Sequence, residues 1–163
     1  KSSLSGKVWI ASFFFSNCKF ECSAQNNTLR DQVHEKLLGT DCTIVSFGKI
    51  LKAVHAAADE LAKDGIDVEI VDLRTIRPLD IDTVLASVKK TGRLVIVEEG
   101  YPVASIASEV GYRVQRHAFD YLDAPVINCT GKDVPMPYAA NLEKHALLTT
   151  DEVVDAVKKV TYR

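Results

Sequence analysis

The sequence has little of what identifies several classes of protein. Aromatic residues make up only 7% of its 163 residues and the formal net charge is -2, so it has neither an obvious base-stacking surface nor a basic face for nucleic acid. No apolar run approaches the roughly 20 residues that a membrane-spanning helix needs. We therefore expect no nucleic-acid partner and no membrane partner. With 47% apolar and 26% charged residues, the composition is typical of one globular domain.

Cysteine is also scarce. The four cysteines are too few and too scattered for a disulfide framework: Cys18, Cys22, Cys42 and Cys129. The C-x3-C pair has no second pair at zinc-site spacing, so we do not expect a metal site there. The other two cysteines fall at the ends of predicted strands, where buried free thiols are expected.

The motifs of nucleotide binding and nucleophilic catalysis are missing. The first strand-to-helix turn has only Gly48 in place of G-x-G-x-x-G, and "TGKD" at residues 130–133 departs from a P-loop at Val126 and Asp133. There is no G-x-S-x-G elbow. The histidines are scattered, one on a helix stripe and two in predicted loops, and we predict no catalytic role for them: His34, His55, His117 and His145.

The first 40 residues differ in composition from the rest. Lysines precede an apolar stretch at residues 8–15, and no acidic residue occurs before Glu21, which is compatible with a targeting leader. The preferred interpretation is an N-terminal extension, with a short helix over residues 28–39. We expect residues 1–40 to be this extension and residues 41–163 to form the domain.

Beyond residue 41, strand and helix patterns alternate. Apolar runs predict strands at residues 42–47, 67–73, 93–100 and 125–131, and helical periodicity predicts helices at 49–65, 80–92, 103–116 and 149–160. Asp80 is a predicted helix N-cap, Gly92 a helix stop, and Thr149 with Glu152 a capping box. This order predicts a largely parallel sheet with helices on both faces. The loops at the carboxyl ends of its strands are the candidate functional edge, and the one at 129–149 is long and without predicted regular structure.

Two charged pairs at this edge are candidate site residues. Arg74 and Arg77 could bind an anion or could pair with a neighbouring aspartate, and Pro78 restricts Arg77 to an extended backbone. From the residues alone, an anion site and a structural contact are equally supported. Glu98 and Glu99 could act in acid–base or metal chemistry, but a cap and a solvent-exposed charge are favoured.

Three stretches carry a resemblance to a known family. "VDLRTIRPLDIDTVLASVKKTGRLVIVEEGYP", "FDYLDAPV" and "TGKDVPMPYAANLEKHAL" are similar to the C-terminal domain of pyruvate dehydrogenase E1 component β subunits, over about three quarters of the chain. The resemblance implies an α/β fold, a three-layer α/β/α sandwich with a mostly parallel five-stranded sheet, as in transketolase C-terminal domains. "YPVASIASEV" departs from relatives, which tend to have a glycine-rich turn at residues 105–107, and the added Cβ atoms could crowd a contact there.

The resemblance also implies a role. Full-length relatives form α2β2 heterotetramers that use thiamine diphosphate and magnesium to decarboxylate pyruvate and acetylate the lipoyl group of E2. The pyrimidine-binding domain of those β subunits has no counterpart in this sequence, so we expect no cofactor bound by this chain alone and no activity alone. Partners implied are E1 α, a second β subunit and the subunit-binding domain of E2. Matching assembly positions are Arg74, Arg77, Pro78, Asp80, Glu98, Glu99, Gly100, Tyr101, Pro102, Asp133, Val134, Pro135, Met136, Pro137 and Tyr138.

Alternatives stay open at this point. One is a free-standing interaction or regulatory module that binds E1 α or E2. A weaker one is an anion- or nucleotide-binding α/β domain. The resemblance implies the mitochondrial matrix, or alternatively the bacterial cytoplasm. With it, the two arginines are expected to serve a loop or subunit contact.

Overall fold

The computed structural model describes residues 9–12 and 41–163 of the chain. The helix predicted over residues 28–39 lies outside the described residues, as do Cys18, Cys22 and most of the leader-like segment.

The described residues form one parallel sheet. Its strands are β1 (Trp9–Ser12), β2 (Cys42–Ser46), β3 (Val68–Asp72), β4 (Leu94–Val97) and β5 (Ile127–Cys129). The five strands lie in the order β1-β3-β2-β4-β5, and all four pairings between neighbours are parallel. The carboxyl ends of the strands therefore share one edge, as the alternating pattern predicted.

Five α-helices lie within residues 41–163 and follow or connect the strands. They are α1 (Leu51–Lys63), α2 (Ile81–Thr91), α3 (Ile106–Ala118), α4 (Ala140–Ala146) and α5 (Thr150–Thr161). Short 3-10 turns cover Gly48–Ile50 and Phe119–Tyr121. None of the helices in this described part is long and apolar enough to cross a membrane.

The core lies in two layers, one on each face of the sheet, because neighbouring strand residues point to opposite sides. Helices α1 and α5 contact each other and cover the face that includes Ile44, Ile70 and Val95. Helices α2 and α3 contact each other and cover the face that includes Val45, Val71 and Ile96. All six of these strand residues are at most 2% exposed, so the three-layer sandwich is confirmed.

Local signals in the sequence define the helix ends correctly. Asp80 accepts a hydrogen bond from the Thr83 backbone N–H at 3.2 Å and caps α2. Gly92 ends α2 in a left-handed conformation, with φ 70. Thr149 and Glu152 form the predicted capping box at the start of α5. These ends fix where each loop leaves the sheet.

Strand β1 comes from the segment in which the sequence indicated no strand. Trp9 is paired with Glu69 and Ser12 with Asp72, so residues 9–12 extend the sheet beyond β3. The pattern from residue 41 onward predicted four strands, which are found, and β1 supplies the fifth that the family resemblance implied. The assignment of residues 1–40 to an extension stays a prediction.

Candidate functional site

Residues 74–80 follow β3 and are called the strap below. The strap begins with an ion pair between its first residue and the last residue of β3. The Arg74 Nε lies 2.7 Å from the Asp72 Oδ2, and the side chain of Asp72 is only 5% exposed. A buried carboxylate needs a partner to offset its lost hydration, and a guanidinium suits it well. Arg74 is thereby engaged by its own chain. Arg77 is exposed and forms no ion pair with another residue among those described.

The rest of the strap is a turn closed by its own hydrogen bonds. The Thr75 hydroxyl donates to the Pro78 carbonyl at 2.9 Å, across a segment in which the Arg77–Pro78 peptide is cis. The Thr83 hydroxyl donates to Asp80 at 2.7 Å, in addition to the backbone cap. A cleft of about 20 Å³ lies between the end of β3 and the start of α2. It is large enough for about one water molecule and too small for a phosphate-bearing cofactor.

The loop after β4 separates the two glutamates that the sequence had paired. Glu98 is 2% exposed and its Oε2 accepts a hydrogen bond from the Ala107 N–H at 3.2 Å, at the start of α3. A carboxylate is favourable there because the first N–H groups of a helix are free and the helix dipole is positive at that end. The other oxygen, Oε1, is buried without a hydrogen-bond partner among the described residues. Glu99 is exposed. This arrangement fits the structural interpretation, with one carboxylate capping and one in solvent.

The glycine-poor segment before α3 has one strained position. Ala104 is exposed and has φ 55, in the left-handed region that glycine favours. The predicted helix began at Val103, but Ser105 is the N-cap of α3: its hydroxyl accepts a hydrogen bond from the Ser108 N–H at 3.1 Å. Ala107 packs into the core with 0% exposure, so its Cβ is accommodated within the domain. The sequence had placed the crowding at residues 105–107, but the unusual backbone is at Ala104.

The loop after β5 is fixed at its base. The Gly131 N–H donates to the Gly100 carbonyl at 3.0 Å, and a Cβ on Gly131 would lie 3.1 Å from the Glu99 carbonyl oxygen. The Lys132 N–H donates to the Ala146 carbonyl at 2.9 Å. The Lys132 ammonium pairs with Glu152 at the start of α5. The loops after β4 and β5 are therefore joined to each other and to α5.

Above this base the two loops expose apolar side chains. We call the exposed residues of segments 99–104 and 132–145 the loop surface; within these segments only Pro137 is partly covered. Its large apolar residues range from 44% exposed to fully exposed: Tyr101, Val103, Val134, Met136, Tyr138 and Leu142. Exposed apolar residues concentrated in this way are typical of surfaces that contact other proteins.

Helix α4 belongs to the same surface, and the sequence did not predict it. Of its seven residues only Ala146 is buried. A helix this short is not stable by itself and normally depends on packing, which α4 has at only one residue. The sequence analysis also did not include Val103 and Leu142 among the candidate contact residues, although both are exposed on this surface. Their signal was weak, because a single apolar residue in a polar run does not define a helix face.

The predicted structural roles of cysteine and histidine can be compared with their positions. Cys42 and Cys129 are buried, and burial raises the pKa of Cys42 to about 12 and that of Cys129 to about 11. Both are inert thiols, as expected.

The sequence placed His117 and His145 in loops, which is wrong, since they lie near the ends of α3 and α4. Among the described residues no three His, Cys, Asp or Glu side chains are grouped so that they could hold a metal ion.

Comparison with known proteins adds sequence relatives to this geometry. Residues 31–153 match the family model described as "Transketolase, C-terminal domain". The chain is 63% identical over 125 residues to the pyruvate dehydrogenase E1 component subunit beta of Rhizobium meliloti, covering 77% of this chain and 27% of that protein. It is 44% identical over 166 residues to the mitochondrial subunit beta of Dictyostelium discoideum, covering 96% of this chain and 45% of that one.

A solved structure is also similar. A split-gene transketolase, described as an inactive beta4 tetramer, aligns with a TM-score of 0.65 and 28% identity, over 76% of this chain and 39% of that chain. This chain thus spans less than half the length of each of these three relatives.

Proposed function

Since the chain belongs to the transketolase C-terminal domain family, we propose that it is the C-terminal assembly domain of a pyruvate dehydrogenase E1 β subunit. The 63% identity to the Rhizobium meliloti subunit supports this choice within the family. The role of such a domain is to join subunits of an enzyme that decarboxylates pyruvate and transfers the acetyl group to lipoyl-E2.

The observation that carries the proposal is the loop surface. Its exposed apolar residues lie at the carboxyl edge of the sheet. An α/β domain that binds a small ligand at this edge would expose polar or charged groups there. The edge has instead an ion-paired Arg74, a capping Glu98 and a cleft of about 20 Å³. Burial against another subunit would remove these apolar residues from water. It would also add packing contacts to α4, in which only Ala146 is buried within the domain.

The proposed partners are E1 α, a second β subunit and the subunit-binding domain of E2. A beta4 tetramer described for the split-gene transketolase supports association between β-type chains. The strap and the loop surface contain the proposed contact residues from Arg74 through Tyr138, except for Glu98, which is buried, and Pro137, which is partly covered. Arg77 is the best placed cation of the set for a contact across an interface, because it is exposed and forms no ion pair among the described residues.

Thiamine diphosphate and magnesium are proposed for the assembled enzyme and not for this domain. The cleft beside the strap does not fit these groups, since it holds about one water molecule, and no three potential metal ligands are grouped among the described residues. We therefore expect no pyruvate decarboxylation by the purified chain with both cofactors added. Turnover above the cofactor blank would contradict this part of the proposal.

The decisive experiment is reconstitution. The full chain is mixed with E1 α and with the E2 subunit-binding domain, and the mass of each mixture is measured by light scattering after gel filtration. We expect species heavier than either component. Tyr138→Asp, at a fully exposed residue of the loop surface, should weaken assembly roughly tenfold or more, since a charge buried at an interface is costly.

A matched control is Tyr112→Asp, which changes an aromatic residue that is 60% exposed on α3, outside the loop surface. It should assemble like the unmodified chain. Components that elute separately in every mixture would refute the assembly role. Equal loss in both variants would refute the loop surface as the contact.

For location we propose the mitochondrial matrix, which the mitochondrial Dictyostelium relative supports. The bacterial cytoplasm is the alternative that the Rhizobium relative supports. Fractionation of the source cells with an antibody to the chain distinguishes the two.

A further inference from the structure

The chain contains one methionine, and the structure places it in an exposed position. Met136 is 49% exposed, whereas Cys42 is fully buried and Cys129 is 7% exposed. Burial holds both of these thiols in the protonated form, which is a poor nucleophile toward peroxide. Among the sulfur atoms that the structure describes, only the thioether of Met136 is therefore accessible to an oxidant.

The surroundings of Met136 keep it at the surface. Pro135 and Pro137 flank it, and the fixed φ of each proline restricts how the loop can bend. The loop is also held at its base, by the Gly131–Gly100 hydrogen bond and by the Lys132 N–H bond to Ala146. These bonds fix the base of the loop that carries Met136, whose side chain is 49% exposed. Met136 lies within the loop surface, between Val134 and Tyr138, which are both exposed.

We propose that Met136 is a reversible oxidation site that controls association of the loop surface with a second β subunit. Hydrogen peroxide transfers one oxygen atom to the thioether sulfur, which loses two electrons. The peroxide O–O bond breaks and the remaining oxygen leaves as water. A methionine sulfoxide reductase restores the thioether with two electrons and two protons from a dithiol, which becomes a disulfide, and the sulfoxide oxygen leaves as water. This proposal rests on the assembly function proposed above, and it takes a second β chain as the partner because the similar split-gene transketolase is described as a beta4 tetramer.

The consequence follows from the chemistry of the sulfoxide. Oxidation changes an apolar side chain into a polar one with a strong hydrogen-bond acceptor. Buried against an apolar partner surface, that oxygen loses its hydrogen bonds to water without replacement. In the separate subunit it stays hydrated at no cost. Oxidation therefore weakens association and leaves the folded domain intact.

The test treats the full chain with dilute hydrogen peroxide and divides the sample. Peptide mass spectrometry locates the added oxygen, and sedimentation velocity measures self-association over a range of concentrations. We expect oxygen on Met136 before any change at Cys42 or Cys129, and association weakened roughly tenfold or more. Thermal unfolding of the oxidised chain should match that of the untreated chain, and sulfoxide reductase should restore association.

Two variants make the result specific. Met136→Leu keeps an apolar side chain of similar volume, so it should associate normally and be insensitive to peroxide. Met136→Gln introduces a permanent amide and should associate weakly without peroxide. If Met136→Leu loses association on treatment, another residue is responsible and the proposal is wrong.

The remaining outcomes separate this proposal from the assembly function. If untreated chain associates and the oxidised chain or Met136→Gln associates equally well, the oxidation site is refuted and the assembly function stands. If untreated chain binds E1 α but not itself, the choice of partner is refuted. If untreated chain binds neither, the assembly function fails, and this inference fails with it.

Discussion

Replacing Ala104 by glycine should stabilise the domain, although the change removes a methyl group and makes no new contact. Ala104 has φ 55, where a Cβ costs about 1–2 kcal/mol through its approach to the backbone. Glycine removes that cost but makes the unfolded chain more flexible, which takes back about 0.5–1 kcal/mol. Because Ala104 is exposed, no buried contact is lost. The expected net gain is about 0.5–1 kcal/mol in the free energy of unfolding.

Urea unfolding followed by circular dichroism measures this gain. The midpoint should rise with an unchanged slope, because the surface exposed on unfolding stays the same. Thermal unfolding should show an increase in the melting temperature of about 1–4 °C.

A matched control is available in α1, where Ala56 is also exposed but lies within a regular helix. Ala56→Gly removes the same methyl group, yet it should destabilise the domain by about 1 kcal/mol, since glycine is a poor helix former. Opposite signs for the two variants isolate the backbone conformation as the cause. If Ala104→Gly lowers the midpoint as Ala56→Gly does, the strain at Ala104 is absent and the reasoning fails.

Two further predictions concern the base of the loop surface. Gly131→Ala puts a Cβ 3.1 Å from the Glu99 carbonyl oxygen. It should therefore lower the free energy of unfolding, measured in urea, by about 1–3 kcal/mol. If no stability is lost, the two loops separate freely and the prediction is wrong. Partial burial acts to raise the pKa of Glu152, but hydrogen bonds from Lys132 and Thr149 hold that pKa below its ordinary value of 4.5. The carboxylate thus adds stability above its unfolded pKa that is lost as the pH falls through the lower folded value. In urea titrations at a series of pH values, Glu152→Gln should lose less stability than the wild type over that acid window, and parallel losses would contradict this.

The sheet and its helix ends were predictable because the signals are local. Asp80 caps α2 through the Thr83 backbone, and Gly92 ends it with a left-handed φ, as their positions in the sequence indicate. Strand β4 is uniformly apolar because both faces are covered, which leaves a continuous run in the sequence. Such features depend on few neighbours, so the sequence carries them directly.

The parts that were missed depend on contacts that no local pattern records. Helix α4 buries only Ala146, so it lacks the repeated apolar spacing by which the other helices were found. Strand β1 has no alternation, and its pairing is with β3, some 60 residues along the chain. Which of Glu98 and Glu99 lies inside depends on where α3 begins, since the Ala107 N–H is the partner of the buried carboxylate. That position follows from packing.

The loop surface combines a fixed backbone with exposed apolar side chains, and this combination favours association. Ordering a mobile loop costs free energy that binding must supply, and a loop ordered beforehand avoids much of that cost. Here the loop backbone is ordered by two contacts at its base, the Gly131–Gly100 hydrogen bond and the Lys132–Glu152 ion pair. Neither contact uses an apolar side chain. Stability of the base and chemistry of the surface can therefore be changed separately. Gly131→Ala should weaken both folding and assembly, because it moves the base, whereas Met136→Gln should weaken assembly alone.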